Sequence, residues 1–195
     1  MKKLSLLLLL LLFNFSCSYN TVTDIDNIGK HYVCVFTDSN FGSGIVIDTG
    51  YVIISKHVVG NSSIVLIVNE LSVDTAYIIG YLDDQVLARV KSIKSSLILI
   101  GDSIHVGQTV WWIQPIFDGK SLNLYMNSGR INGILANSFF VDKPILPGAS
   151  GSGVFNSNGE LVGIIEASIY YGNQILYGKA CNYKNANILL KKIGY

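Results

Sequence analysis

The sequence is poor in charged residues and in proline, and each shortage excludes a class of protein. Only 14% of the residues are charged and the formal net charge is +1, whereas 50% are hydrophobic. A chain of this composition can bury a core and has no electrostatic reason to bind nucleic acid, so we expect neither disorder nor a nucleic-acid partner. Prolines number 3 against 19 glycines, and valine, isoleucine, tyrosine and phenylalanine are abundant. That balance favours short strands joined by glycine turns over a helical bundle.

Cysteine and histidine are also scarce, with 3 of each in 195 residues. They are scattered along the chain, not spaced as metal ligands are, so we expect no metal and no other cofactor. Cys34 and Cys181 lie far apart in sequence, which says nothing about their distance in space. A disulfide between them and two buried free thiols are therefore both open alternatives.

The N-terminal segment differs in composition from everything after it. Met1–Lys3 carries two lysines, and Leu4–Phe15 is almost wholly apolar. That run is short for a membrane span and is typical of an export signal, so we predict a signal peptide at residues 1–16, with an uncleaved anchor as the alternative. Its removal takes away two lysines and no acid, which changes the formal net charge from +1 to −1.

Ser16-Cys17, directly after the apolar run, resembles the end of a bacterial lipobox, whose cysteine is lipidated after cleavage. Asn14 and Phe15 fit the preceding positions poorly, so ordinary cleavage and secretion is the alternative. In both cases we expect an exported protein, secreted or periplasmic, and any membrane attachment only through a lipid at Cys17. Export makes disulfides permissible. The polar residues 17–30 are predicted to be a tether.

Beyond residue 30 the chain consists of short β-branched runs separated by glycine turns. Ile45–Ile47 and Tyr51–Ile54 predict one hairpin, and Val154–Ile165 predicts another around an Asn-Gly turn. Lys184–Ile193 has apolar residues at helical spacing. Many short strands and one late helix predict an all-β sandwich or barrel.

Two local patterns carry further expectations. Phe41–Gly44 alternates glycine with other residues and is predicted to make a tight corner. Trp111 and Trp112 are adjacent in a predicted strand, whose side chains point alternately to opposite faces. We therefore expect one of the two tryptophans in the core and the other at a rim or interface.

Three residue types suited to acyl transfer occur along the chain. Ile145–Val154 contains three glycines, a proline and two serines, and such a run can aim several N–H groups at one point beside a nucleophilic oxygen. A plain surface loop is the alternative. His57 directly follows a predicted buried strand and is a candidate general base. Asp84 opens a predicted strand and is a candidate orienter of that histidine.

The order His57, Asp84, Ser150 is the chymotrypsin order of a catalytic triad. His31 and His105 lack comparable framing and are left structural. The chain resembles a trypsin-like serine protease, most closely the protease domain of the high-temperature-requirement (HtrA/Deg) family, over roughly residues 30–190. The similar blocks occur in the family's order: Gly42–Asp48 with Tyr51–Ile54, Ser55–Val59, Ala76–Tyr81 with Asp84–Val90, Leu99–Ser103 with Val106–Gln108, and Asp142–Ser150 with Asn158–Ile164. We expect no PDZ domain after Tyr195.

The resemblance implies an all-β fold of two six-stranded antiparallel barrels with a cleft between them. One protease domain would cover residues 31–195, with barrel 1 at about 31–103, barrel 2 at about 104–182 and a C-terminal helix at about 184–193.

The resemblance also implies catalytic roles. His57 would be the general base and acid, Asp84 its orienter and Ser150 the nucleophile, with the N–H groups of Gly148 and Ser150 as the oxyanion hole. Ser152 is the competing serine. The loop before Asp84 is about two residues shorter than in the family, which leaves Asp83, and more distantly Asp74, as substitutes.

The expected specificity pocket is formed by the segment just before Ser150 and by Gly163–Ser168, which is its far wall. We predict that it is lined by Pro144, Ile145, Leu146, Ile165 and Ala167. No acid stands where a trypsin-type pocket carries one, so cleavage after small or medium apolar residues is expected. The predicted function is a serine endopeptidase that acts on proteins or peptides through an acyl-enzyme. A catalytically inactive domain that binds proteins or peptides, and an esterase using the same site, are the alternatives.

Overall fold

The computed structural model describes residues 25–69, 72–95, 97–117, 121–172, 174–182, 184–192 and 194. The predicted signal peptide, Cys17 and the first part of the predicted tether lie outside these residues. Among the described helices, none is both long and apolar enough to cross a membrane.

Barrel 1 is a closed sheet of six antiparallel strands, paired in the order β1-β2-β3-β6-β5-β4. The β-branched residues of these segments suit a pleated surface buried on at least one side. The strands are β1 (Tyr32–Phe36), β2 (Phe41–Asp48), β3 (Tyr51–Ser55), β4 (Ile64–Val68), β5 (Val73–Leu82) and β6 (Gln85–Val90).

Barrel 2 repeats this arrangement with the strand order β10-β11-β12-β9-β8-β7. Its strands are β7 (Thr109–Phe117), β8 (Leu122–Ile134), β9 (Ser138–Val141), β10 (Gly153–Phe155), β11 (Leu161–Tyr171) and β12 (Gln174–Asn182). Two closed six-stranded antiparallel barrels are the fold that the sequence predicted, and this prediction is confirmed.

Strand β2 is buried on both faces, and this explains how the barrels meet. Val46 points into the core of barrel 1, whereas Ile45 and Ile47 join a second cluster that also contains Phe155 and Leu161 of barrel 2. Because neighbouring side chains of a strand face opposite ways, one apolar run supplies both clusters. The two barrels are therefore joined by one apolar cluster to which both contribute.

Three short helices complete the described fold: α1 (Ile25–Lys30), α2 (Lys56–Val59) and α3 (Lys184–Lys192). Residues 25–30 were predicted to belong to a tether, and here the prediction needs correction. Ile28 is 0% exposed and packs in the cluster between the barrels. Burial of Ile28 thus anchors a segment whose composition is mostly polar.

Two local expectations were wrong. Residues 41–44 form the start of strand β2 instead of a corner, because glycine permits close approach of a neighbour as well as a turn. A Cβ on Gly42 would lie 2.5 Å from Val58 Cγ2. Trp111 and Trp112 are both buried, at 7% and 0% exposure. Trp112 packs in the core of barrel 2.

Candidate active site

His57 lies just after the end of strand β3. The strand ends at Ser55 and helix α2 begins at Lys56, which places His57 in a single helical turn. Two hydrogen bonds hold this segment: the Lys56 N–H donates to Asp84 O at 2.7 Å, and Ser55 Oγ donates to Ile165 O of barrel 2 at 3.1 Å. These bonds, made by the two residues before His57, fix its position relative to Asp84 and to barrel 2.

Asp84 is the partner of the His57 ring. Asp83 and Asp84 form a two-residue turn between β5 and β6, since Leu82 pairs with Gln85, and Asp83 adopts the left-handed φ of 52° that tight hairpins use. His57 Nδ1 lies 2.9 Å from Asp84 Oδ2. An ionised carboxylate only accepts hydrogen bonds, so Nδ1 carries the ring proton and Nε2 is left able to accept one.

This hydrogen bond raises the pKa of His57 above the ordinary value of 6.5. Partial burial of the ring opposes the shift, while the negative charges of Asp84 and Glu166 add to it. The site therefore favours the protonated imidazolium more than water does. A general base that must hold a transferred proton benefits from that bias.

Ser150 belongs to a loop of barrel 2 that is held by barrel 1. Its carbonyl oxygen accepts the N–H of Ser43 on β2 at 2.8 Å. The next residue, Gly151, has φ +97°, and a Cβ there would lie 1.9 Å from Ser43 O. Only glycine fits this contact, so Gly151 is what lets the serine loop approach β2 so closely.

Ser150, His57 and Asp84 all line one cavity of about 570 Å³. The Ser150 hydroxyl donates to Glu166 O at 3.3 Å. Among the hydrogen bonds of the described residues, none joins Ser150 to His57. Serine hydroxyls change acceptor by rotating between staggered rotamers, and catalytic hydrogen bonds commonly tighten only when substrate binds.

The turn before Ser150 has a defined type. The Ala149 N–H donates to Leu146 O at 3.3 Å, and Gly148, at the third position of this turn, has φ +95°. Proline at the second position and a positive-φ glycine at the third are typical of a type II turn. A Cβ on Gly148 would also lie 2.6 Å from the ring of Phe41. Backbone conformation and space thus both require glycine here.

Two N–H groups of this loop are left without an acceptor. The N–H groups of Ala149, Gly151 and Ser152 donate to carbonyl oxygens, whereas those of Gly148 and Ser150 donate to no acceptor within the described residues. Ala149 O accepts the Ser152 N–H at 2.8 Å. Because C=O and N–H point opposite ways across a trans peptide, this bond turns the Ser150 N–H away from Ser152. These are the two donors that the resemblance assigned to the oxyanion hole.

The predicted specificity pocket needs correction, because only Ala167 of its five residues lines the cavity. Ile145 and Ile165 are 2% and 0% exposed and pack in the core of barrel 2. Ile145 fills the space beside Gly178, where an added Cβ would lie 2.1 Å from its Cδ1. Pro144 and Leu146 are exposed and do not line the cavity. Besides Ala167 and the triad residues, the lining residues are Asp83, Asn137, Ser138, Glu166, Ser168, Tyr170 and Lys179.

Glu166 and Lys179 are cavity residues that sequence reasoning missed. Lys179 Nζ lies 2.8 Å from Glu166 Oε2, and the Glu166 side chain is only 12% exposed. Glu166 carried a usable signal, since it is a single acid within the apolar run of β11 and within the expected far wall. Lys179 carried none, because it reaches the site through pairing of β12 with β11 opposite Ala167.

The other cysteines and histidines of the described residues do not line the cavity. Cys34 and Cys181 are buried free thiols, so the disulfide alternative is wrong. Burial raises the pKa of Cys34 and raises that of Cys181 to about 12, which keeps both thiols protonated and unreactive. His31 is 2% exposed and its Nδ1 lies 2.8 Å from Val46 O, whereas His105 is exposed. No cluster of ligands suited to a metal occurs among the described residues.

Comparison with known proteins adds a family match and matches to solved structures. A family model for the trypsin-like peptidase domain matches residues 42–164. A search of the curated proteins found no match. The inactive form of the Rv3671c protease of M. tuberculosis is similar with a TM-score of 0.73 at 17% identity, over 89% of this chain and 94% of that one. A serine endoprotease from Yersinia pestis is similar with a TM-score of 0.75 at 23% identity, over 87% of this chain and 64% of that one. Likenesses at these identities establish the fold.

Proposed function

Because this chain belongs to the trypsin-like peptidase family, we propose that it is a serine endopeptidase whose triad is His57, Asp84 and Ser150. The observation that carries the proposal is the cavity shared by these three residues, in which His57 is hydrogen-bonded to Asp84. The N–H groups of Gly148 and Ser150 donate to no acceptor within the described part of the chain. Nucleophile, base, orienter and oxyanion donors are the four parts that acyl transfer requires.

The proposed reaction proceeds through an acyl-enzyme. Ser150 Oγ attacks the carbonyl carbon of the substrate while its proton passes to His57 Nε2. The oxygen of the tetrahedral intermediate accepts hydrogen bonds from the Gly148 and Ser150 N–H groups. The imidazolium then protonates the leaving amine, and an ester to Ser150 remains. Water attacks this ester with His57 again as base, which releases the acid product and restores Ser150.

Labelling with a fluorophosphonate probe tests the proposal, because the probe phosphonylates only an activated serine. The wild-type protein is expected to take up one probe molecule, which mass spectrometry would locate at Ser150. Ser150→Ala is expected to take up none. Ser152→Ala is the matched control, since its hydroxyl is buried and donates to Ile113 O at 2.7 Å, and this variant should label like the wild type.

Two outcomes would count against the proposal. A folded wild-type protein that does not react would favour the inactive binding domain, and labelling that persists in Ser150→Ala would move the nucleophile elsewhere. Turnover of esters with none of peptide amides would favour the esterase.

We further propose cleavage after small or medium apolar residues of exported or extracellular proteins and peptides. The cavity wall beside Ser150 contains the small residues Ala167 and Ser168, and the Glu166 charge is paired with Lys179. A paired carboxylate attracts a basic side chain less than a free one. Profiling with a peptide library should therefore show apolar residues before the cut bond. A dominant preference for arginine or lysine would overturn this specificity and leave the triad proposal intact.

A further inference from the structure

Gln114 is a fully buried polar side chain that the proposed reaction does not use. It lies on strand β7 and is 0% exposed. Burying an amide is unfavourable unless its donor and acceptor atoms are satisfied. All of its hydrogen bonds go to backbone groups, and three of the four lie in the turn that precedes Ser150.

The contacts of Gln114 fix the orientation of its amide. Oε1 accepts the Leu146 N–H at 3.1 Å. Nε2 lies 3.0 Å from Pro115 O, 3.3 Å from Leu146 O and 3.4 Å from Pro147 O, so its two hydrogens are shared among three carbonyl oxygens. A reversed amide would set its oxygen against those three oxygens. The side chain therefore accepts a hydrogen bond from the Leu146 N–H and donates to the carbonyl oxygens of Leu146 and Pro147.

The Pro147 carbonyl matters because it shares a peptide bond with the Gly148 N–H. Cis peptide bonds are absent from the described chain, and in a trans peptide C=O and N–H point to opposite sides. Holding Pro147 O toward Gln114 therefore sends the Gly148 N–H the other way. A type I turn would reverse this peptide and require a negative φ at Gly148, in place of the observed +95°.

Ser43 holds the other end of the same turn. Its hydroxyl donates to Gly148 O at 2.6 Å and is 2.9 Å from the Tyr32 hydroxyl, while its N–H donates to Ser150 O. Barrel 1 thus fixes the carbonyls of Gly148 and Ser150. Ser43 does not hold the Pro147–Gly148 peptide, whose carbonyl oxygen accepts a hydrogen bond from the Gln114 side chain.

We propose that Gln114 is a positioning residue that keeps the Pro147–Gly148 peptide in the type II orientation, so that the Gly148 N–H is available to the oxyanion before substrate binds. The inference rests on the proposed function, because it concerns the oxyanion hole of that site. Gln114 touches no reacting atom and acts only through Gly148. Its loss should affect the transition state, where the oxyanion exists, more than the binding of substrate.

The test uses Gln114→Met, which keeps the length of the side chain and removes both hydrogen-bonding groups. We expect kcat for a peptide substrate to fall about 100-fold, as for the loss of one oxyanion donor, with KM changed less than about threefold. The affinity for a peptide boronate, whose tetrahedral adduct occupies the oxyanion hole, should fall by a similar factor. If Gln114 had only a structural role, the folded variant would keep the wild-type ratio of kcat to KM and the wild-type affinity for the boronate.

Ser152→Ala is the matched control here also. It removes a buried hydrogen bond between the same loop and the same strand, from Ser152 Oγ to Ile113 O, without touching the Pro147–Gly148 peptide. Its kcat should stay within about threefold of wild type, since this bond does not hold the Pro147–Gly148 peptide and its loss affects mainly stability. Gln114→Leu also removes both hydrogen-bonding groups, and it should lose kcat as Gln114→Met does. It serves if Gln114→Met does not fold.

The outcomes separate this inference from the proposed function. If the wild type hydrolyses peptides and the folded Gln114 variants keep its kcat, the positioning role is overturned and the endopeptidase stands. If the wild type is neither labelled by the probe nor able to cleave peptides, the proposed endopeptidase function is wrong. Crystal structures of the wild type and of Gln114→Met then test the positioning role of Gln114. Gly148 should leave its positive φ in Gln114→Met, and a type II turn that persists there would overturn the inference.

Discussion

Replacement of His57 by alanine is expected to lower kcat for peptide hydrolysis by about a millionfold, with little change in KM. The expected loss is this large because nucleophile and base act as one unit, so that removing either costs nearly as much as removing the triad. His57 is the ring that shares the cavity with Ser150 and hydrogen-bonds to Asp84. Among the described residues, the Ser150 hydroxyl donates only to the Glu166 main-chain oxygen, and a carbonyl oxygen is too weak a base to replace the imidazole. Steady-state kinetics on a chromogenic peptide measure the change.

His105→Ala is the control for this prediction. His105 is exposed and is not among the residues that line the cavity, so its kcat should equal that of the wild type. His57 is about half exposed, and its loss should leave the melting temperature nearly unchanged. A folded His57→Ala protein that retained a hundredth of the wild-type kcat would show that another group is the base.

Replacement of Asp84 by asparagine is expected to lower kcat by about 10⁴-fold. An asparagine amide is neutral, so it neither enforces the Nδ1–H tautomer nor stabilises the imidazolium as the carboxylate does at 2.9 Å. Asp83→Asn is the matched control, because Asp83 is the other acid of the same turn and also lines the cavity. We expect Asp83→Asn to stay within about tenfold of wild type. Equal losses in the two variants would reopen the choice of orienter.

The pH dependence of the same variants gives a second readout. His57 must be neutral to act as base, so kcat/KM of the wild type should rise with pH through the raised pKa of His57, with a midpoint above 6.5. Asp84→Asn removes the carboxylate whose hydrogen bond is the largest cause of the raised pKa and whose charge adds to it. Its residual activity should therefore have a midpoint at lower pH. A midpoint that stays in place or rises would show that Asp84 does not set the His57 pKa.

The proposed site depends on both barrels, and the stabilising contacts cross between them. His57 and Asp84 come from barrel 1 and Ser150 from barrel 2, while Ser43 N–H, on barrel 1, binds Ser150 O. A second hydrogen bond between the barrels runs from Ser55 Oγ of barrel 1 to Ile165 O of barrel 2. Because each barrel holds a segment of the other in place, loss of either contact should affect the geometry of the site.

The sequence by itself determined the fold class and the candidate triad. The alternation of apolar residues in segments such as Ile45–Ile47 and Tyr51–Ile54 has a period of two, which depends only on local backbone geometry. Gly148 and Gly151 both adopt positive φ. Because residues other than glycine rarely adopt positive φ, a glycine in the sequence indicates where such a conformation can occur. His57 and Asp84 each adjoin a strand that this alternation predicts, and Ser150 lies between these two glycines in the loop.

Only the tertiary structure decided what surrounds these residues. Ile145 lies in the loop before Ser150 and Ile165 lies on strand β11. Which way each side chain points depends on how barrel 2 packs, so both were placed in the specificity pocket although they lie in the core. Lys179 meets Glu166 through the register of β11 and β12. Gln114 meets the turn before Ser150 from 32 residues away. Contacts between distant segments depend on how strands pair and pack, and no local pattern in the sequence records them.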